Sequence, residues 1–290
     1  MTLTKPTKEQ IKDFYSRALQ RSLDAYAKLD EKEWDKKASD EGTAREHLAV
    51  IVGVMEAETM PITRAALAGQ APSIPGLEKR TDLLPFRTAC RNAVRGLPPS
   101  QLLERMKSVF NEHLGMLEAL PEADLDKPAI SPAWDRPATI RDLFFGAYLF
   151  MPGQYQEIRR VNKKKLPHWI EDSTPDQVNF HMGRLFNYMP LIFRSDKAGD
   201  LKATYLFNME GEGGGQWGLA IENGRADSMD GAPTGNADIE IKTKPAHWID
   251  LSTGDLNPIT AVLPGPFQKV SLKGQMPLAM KLSELFTAEE

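Results

Sequence analysis

The spacing of apolar residues changes period partway along this chain, and that change limits the folds open to it. Up to about residue 161 the apolar positions recur at three-and-four spacing, which puts them on one face of successive helices. Beyond about residue 200 they alternate in short runs broken by glycine turns, which is the pattern of a half-buried sheet. In the first part, residues 9–29 place Ile11, Phe14, Tyr15, Ala18, Leu19, Leu23, Tyr26 and Leu29 on one helical face. Thr43-Ala44-Arg45-Glu46 matches a capping box that opens a second helix through Leu48, Ile51, Val52 and Met55. A shorter helix over 82–95 precedes a long one that starts at Pro98-Pro99-Ser100 and carries Leu102, Leu103, Met106, Val109, Phe110, Leu114 and Leu117. After a loop holding Trp134, Thr139-Ile140-Arg141-Asp142 caps a last helix to about Val161, with Pro152 inside it expected to kink it.

The second part begins with a helix over 176–193. Strands are expected at 204–209 and 216–221, joined by the Gly211–Gly215 turn. Asn223-Gly224 is a two-residue hairpin signal. Short strands follow at 225–229 and 237–241, then a helix through Trp248, another near Asn257-Pro258, a strand over 267–272 and a final helix from Met276 to Phe286. Three or four strands with helices gathered at the ends describe a sheet covered on one face. The predicted fold is therefore an all-α four-helix bundle followed by an α+β domain. The domains span 1–165 and 166–290, and the break carries Pro167 and Pro175. A length of 290 residues suits two domains at roughly 100–200 residues each.

Composition removes several classes of function. A single thiol, Cys90, cannot build a disulfide framework or a cysteine-rich zinc site. No apolar run approaches the roughly 18–20 residues of a membrane helix, and the N-terminal residues lack a signal core. The expected protein is cytoplasmic, with no integral membrane segment. The net charge of −4 divides into +3 through Lys165 and −7 from Leu166 on. Neither half carries the basic stripe that nucleic acid requires, so no nucleic-acid partner is expected. The one dense basic run, residues 159–165, falls where cations oppose the negative end of a helix dipole. Cys90 reads as a buried structural thiol, and neither a Gly-x-Ser-x-Gly elbow nor a Walker-type loop is present.

Residues 176–286 resemble a sterol carrier protein type 2 domain. The likeness is carried in order and spacing by Tyr188-Met189-Pro190, the strands around Phe207 and Trp217, Asn223-Gly224, and Ala237-Asp238-Ile239-Glu240-Ile241. It continues through His247-Trp248-Ile249-Asp250-Leu251, Asn257-Pro258 and 270–279. Gln275 stands where the family often has Asp. The resemblance implies an apolar small molecule or lipid held between sheet and helices. Its candidate walls are Phe207, Trp217, Leu219, Ile221, Trp248, Leu251, Met276, Met280 and Phe286, all of which also suit plain core. Six methionines in this half (Met182, Met189, Met209, Met229, Met276, Met280) fit an adaptable pocket.

The first part resembles the DinB-like metal-binding bundle through residues 43–52 and Thr139-Ile140-Arg141-Asp142-Leu143. The order of the two halves is that of the mycothiol-dependent maleylpyruvate isomerases. The positions that would carry that superfamily's metal ligands are here Val50, Gly146 and Phe150, none of which can coordinate an ion. His47, Glu56, Glu58, Glu112 and His113 remain as other donors, but no pair has the i, i+4 spacing of a helical metal site. His47 is expected to be partly exposed and His113 solvated. Arg141, Asp142 and Glu157 are expected on a solvated helix face. Phe145 and Phe150 fall off the core stripe of the last helix and suit extra packing or a pocket.

Three functions stay open. The first is an apolar-ligand binding protein with a degenerate metal site, needing no metal and no cofactor. The second is a thiol-dependent isomerase or transferase that works without the usual ion. The third is a scaffold with filled pockets. Bundles of the first type often dimerise in relatives, which leaves a homodimer open.

Overall fold

The computed structural model describes residues 4–39, 42–134, 136–266 and 268–286, with the side chains of Leu149 and Phe150 outside that description. The chain divides into two compact units, one from Pro6 to His168 and the other from Trp169 onward, which also takes in Thr4 and Lys5.

The first unit is helical. Helix α1 (Lys8–Ala27) lies against α5 (Pro99–Ala119) and α6 (Ile140–Arg159), and α2 (Ala44–Val54) lies against α4 (Leu83–Val94) and α5. Capping boxes set the starts of α1, α2 and α6 through Thr7–Gln10, Thr43–Glu46 and Thr139–Asp142. In each, a threonine hydroxyl accepts from a free amide of the first turn, and the residue three on returns the bond. Short pairings frame the helices: β1 (Lys37–Ser39) with β2 (Gly42–Thr43), and β3 (Pro128–Ala129) with β4 (Ala138–Thr139). Helix α6 runs on through Pro152.

The second helix departs from its expected form. Helix α2 passes through a π-helical turn, Met55–Thr59, into α3 (Met60–Leu67) without a break. Pro61 explains this: it has no N–H to give, and its ring would strike the carbonyl four residues earlier. The wider turn, closed by Met60 N–H to the Met55 carbonyl, lets the chain continue.

The second unit opens with α7 (Pro175–Ile192), capped by Thr174 and Gln177, and a short turn of helix, α8 (Ser195–Ala198). Five strands follow, one for each of the five expected segments. They are β5 (Ala203–Met209), β6 (Gly215–Glu222), β7 (Arg225–Asp230), β8 (Ile239–Thr243) and β9 (Ser271–Gly274), in the spatial order β7-β6-β5-β8-β9. Only β5 and β8 run parallel, so the sheet is mixed. The last strand is shorter than expected and begins after Val270, because Lys269 and Val270 donate to the Ala261 carbonyl instead of joining the ladder. Phe267 lies outside the described residues.

Strand β5 shows the period-two rule directly: Ala203, Tyr205, Phe207 and Met209 are buried, and the residues between them are half-buried. The Asn223-Gly224 turn has positive φ at both residues, 52° and 70°, as a type I′ hairpin requires. Helices α9 (Pro245–Ser252), α10 (Pro258–Ala261) and α11 (Met276–Leu285) complete the unit, and α7 lies along β6 and β7. Among the described residues, no helix is long and apolar enough to cross a membrane.

Candidate functional site

The buried face of the sheet carries a cluster of aromatic rings. Phe186 on α7 stacks on Phe207 at 4.5 Å and on Trp217 at 5.1 Å between centroids. Trp248 on α9 closes the group, 5.5 Å from Phe186 and 5.1 Å from Phe207. Strand pairing places Phe207 opposite Trp217, and the helices bring the other two rings over them. Gly183 makes the approach of α7 possible, since a Cβ there would lie 3.2 Å from the indole nitrogen of Trp217. Beside the cluster, the Tyr205 hydroxyl donates to the Leu278 carbonyl at 3.2 Å. Burial pushes the Tyr205 phenol up to about 12.

The residues named from sequence fall into two groups. Phe207, Trp217, Leu219 and Ile221 are buried on the inner face, with Trp248 and Leu251 half-buried. On α11, Met276 is 50% exposed and Met280 66%, one turn apart on the same face. Phe286 is half-buried and packs against Phe193 at 5.5 Å. Phe186 was not among the sequence candidates, although it links all three other rings. Its signal was its place on the apolar stripe of α7, where Met182 and Met189 flank it.

In the helical unit, Val50 is buried and Gly146 half-buried, and the side chain of Phe150 lies outside the described residues. An alkyl group and a bare backbone offer no side-chain lone pair, so this donor set does not fit a metal ion. Among the described residues, no group of three or more His, Cys, Asp or Glu side chains could hold one.

His47 and His113 both lie elsewhere than expected. His47 is fully buried, not partly exposed, with Nδ1 2.6 Å from the Tyr26 hydroxyl and Nε2 2.7 Å from Glu157 Oε2. Tyr26 in turn stacks on Trp34 at 5.7 Å. His113 is fully buried, not solvated, between the Tyr15 hydroxyl at 2.8 Å and the Thr63 hydroxyl at 2.9 Å, with the Phe144 ring tilted against it at 4.5 Å. Burial lowers its imidazole to about 3. Each histidine thus meets a tyrosine of α1 that sequence spacing could not pair with it.

The charges expected on a solvated face of α6 are also engaged. Glu157 keeps only 25% of its side chain exposed. Arg141 is buried and reaches the Pro6 carbonyl, Glu122 and Asp126, and Asp142 closes the helix cap. The other donors are paired as well. Glu58 is buried and receives Arg87 at 2.8 and 2.9 Å. Glu56 pairs with Arg105 and Glu112 with Arg64 around an open, charged groove of about 300 Å³ lined also by Met60 and Val109. Cys90 is buried, and its thiol is pushed up to about 11, chiefly by desolvation and then by Glu58, against the opposing pull of Arg87. The basic run after α6 is partly spent on a clamp. Lys165 lies 2.7 Å and Asn162 2.5 Å from Glu33, whose carboxyl is held down at about 2 by Lys165 first, then by the Asp30 amide and Asn162.

Comparison with known proteins gives both halves a relation. Residues 194–287 match the SCP-2 sterol transfer family. Hydroxysteroid dehydrogenase-like protein 2 of Xenopus tropicalis is 28% identical over 115 residues, 40% of this chain and 25% of that protein. The Homo sapiens protein of the same name is 33% identical over 84 residues, 29% of this chain and 19% of that one. The chain therefore spans a quarter or less of these relatives. Among solved structures, the mycothiol-dependent maleylpyruvate isomerase superposes with a TM-score of 0.58 at 12% identity, covering 96% of this chain and 98% of that one. At that identity the likeness concerns the fold. The resemblance to that architecture, helical half first and sterol-carrier half second, holds over almost the whole chain.

Proposed function

We propose that this chain binds an apolar small molecule or lipid in its second unit. The observation that supports this best is the layer of Phe186, Phe207, Trp217 and Trp248 between the sheet, α7 and α9, in the half that matches a sterol-transfer family. Leu219 and Ile221 extend that apolar wall, and Met276, Met280 and Phe286 form its adaptable edge on the last helix. The helical unit is a DinB-like four-helix bundle whose metal positions, Val50, Gly146 and Phe150, are degenerate, and the protein works without metal. Native mass spectrometry of the purified protein and organic extraction of its bound lipid test this reading. A co-purified apolar molecule, or one that raises the melting temperature on addition, is expected; the absence of both would reject it.

A second reading, a metal-free isomerase or transferase, is favoured by one observation. Tyr26, His47 and Glu157 form a continuous hydrogen-bonded line whose only partly exposed end is a carboxylate. Such a line can orient the carboxylate and pass it a proton. Loss of turnover on a thiol-adduct substrate in Glu157→Gln, with the fold intact by circular dichroism, would support it over simple binding.

A further inference from the structure

In the second unit, two half-buried side chains, Asn187 and Ser228, have every one of their polar atoms shut off from solvent and unpaired among the described residues. Both amide atoms of Asn187 on α7 are shut off from solvent and make no hydrogen bond to the described residues, and the same holds for the Ser228 hydroxyl on β7. Orphans of this kind are uncommon, because each forfeits its hydration with nothing in return.

Their positions bring them to the same place. Gly213 lies against Val178, the Asn179 amide donates to the Gly214 carbonyl at 2.7 Å, and Gly183 lies against Trp217. Helix α7 therefore advances along the sheet in the same sense as β6. One helical turn past Gly183 is Asn187, about 6 Å farther on. Two strand residues past Trp217 is Leu219, about 6.6 Å farther on. Leu219 is paired with Ser228 on the neighbouring strand, and β7, like β6, packs against α7. Paired residues of adjacent strands point to one face. Here it is the buried face that also holds Trp217 and Leu219. Asn187 and Ser228 thus belong to one stretch of the layer between α7 and the β6–β7 pair, at the edge of the aromatic cluster.

We infer that Asn187 and Ser228 form a polar subsite for the head of an apolar ligand, a conclusion that rests on the apolar-binding reading above. The head is a neutral group that both donates and accepts, a hydroxyl or a carboxamide. The primary amide supplies two N–H donors and an acceptor oxygen, and the serine supplies one of each. A carboxylate is disfavoured, since an ion moved into this layer needs a cation of its own. The nearest buried cation along the helix, Arg184, already lies over the Phe180 ring at 5.4 Å. The apolar tail extends from this subsite along Leu219 toward the four rings. Ligand binding then supplies the partners that the fold leaves out, so head recognition costs no existing hydrogen bond.

The test titrates the full-length protein with dodecanol, dodecane and dodecanoate, followed by tryptophan emission, since Trp217 adjoins the subsite. Asn187→Leu and Ser228→Ala are compared with the wild type, the serine variant serving if the leucine variant does not fold. Taking the variant to wild-type Kd ratio for each probe removes differences in aqueous solubility. The expected result is an increase of about tenfold for dodecanol in each variant and no change for dodecane. Thermal unfolding of unliganded Ser228→Ala should be unchanged or shifted upward, because an orphaned hydroxyl has been removed. Equal ratios for dodecanol and dodecane would overturn the subsite while leaving apolar binding in place. Dodecanoate as the tightest probe would overturn the neutral head. A fall in the melting temperature of Ser228→Ala would show that the hydroxyl already holds the fold, and would overturn the proposal. If none of the three probes binds wild type, the apolar-binding reading itself falls.

Discussion

His113 should make the helical unit sensitive to acid, and the size of the effect follows from its burial. The ring is closed in by Tyr15 from α1, Thr63 from α3 and Phe144 from α6. A neutral imidazole donates from one nitrogen and accepts at the other, and the two hydroxyls satisfy both. No carboxylate is among these partners to balance a charged ring. The imidazole therefore titrates at about 3 in the fold against 6.5 when unfolded. Below pH 6.5 the unfolded chain takes up a proton that the folded chain refuses. This contribution to stability is thus complete above pH 6.5 and is lost as pH falls toward 3. Linkage gives a loss of about 2 kcal/mol by about pH 5, rising toward roughly 5 kcal/mol below pH 3. His113→Gln retains a donor and an acceptor but cannot titrate. Hydrogen exchange of the α5 amides at about pH 7.5 and about pH 5 reads the stability of this unit apart from the other. Wild type should lose about 2 kcal/mol more between the two conditions than the variant, whatever the variant's starting stability. Equal losses would show that the ring is hydrated or charged in the fold, and would refute the argument.

The other outcomes are more direct. Phe186→Ala should destabilise the second unit by about 3–5 kcal/mol in denaturant unfolding, since its ring touches three others; a change below about 1 kcal/mol would mean that the cluster collapses to fill the space. Cys90, with its thiol at about 11 and its side chain buried, should react with a thiol reagent at neutral pH far more slowly than free cysteine, and rapidly once the protein is unfolded. Glu33, held near 2 by Lys165, stabilises the fold above the ordinary glutamate range and ceases to do so as pH falls toward 2; Lys165→Met should move its carboxyl titration upward in an NMR pH series. Replacing Gly183 by Leu should drive the indole of Trp217 off α7 and shift its emission, because even a Cβ there approaches to 3.2 Å.

Local features carried much of the architecture. The capping box at Thr43–Glu46, the Asn223-Gly224 hairpin and the alternation along β5 act over a few residues, so the chain alone specifies helix starts, the turn and the buried strand face. The family resemblance, not local spacing, singled out Phe207, Trp217, Leu219 and Ile221 as candidate walls, all four of which are buried, and marked Val50 and Gly146 as positions without side-chain donors. What failed to show was every feature that depends on residues far apart in the chain. His47 looked like a surface residue beside a cap until Tyr26 and Glu157, 21 and 110 positions away, enclosed it. His113 beside Glu112 gave no hint of Tyr15, 98 positions off. The short edge strand β9 and the orphaned pair Asn187 and Ser228 depend in the same way on which helix lies over which strand. Spacing along a chain determines period, caps and turns, because those are satisfied within a turn of helix or a hairpin. Whether a polar group is solvated, paired or left alone is decided by what the folded chain places against it, and that belongs to the tertiary structure.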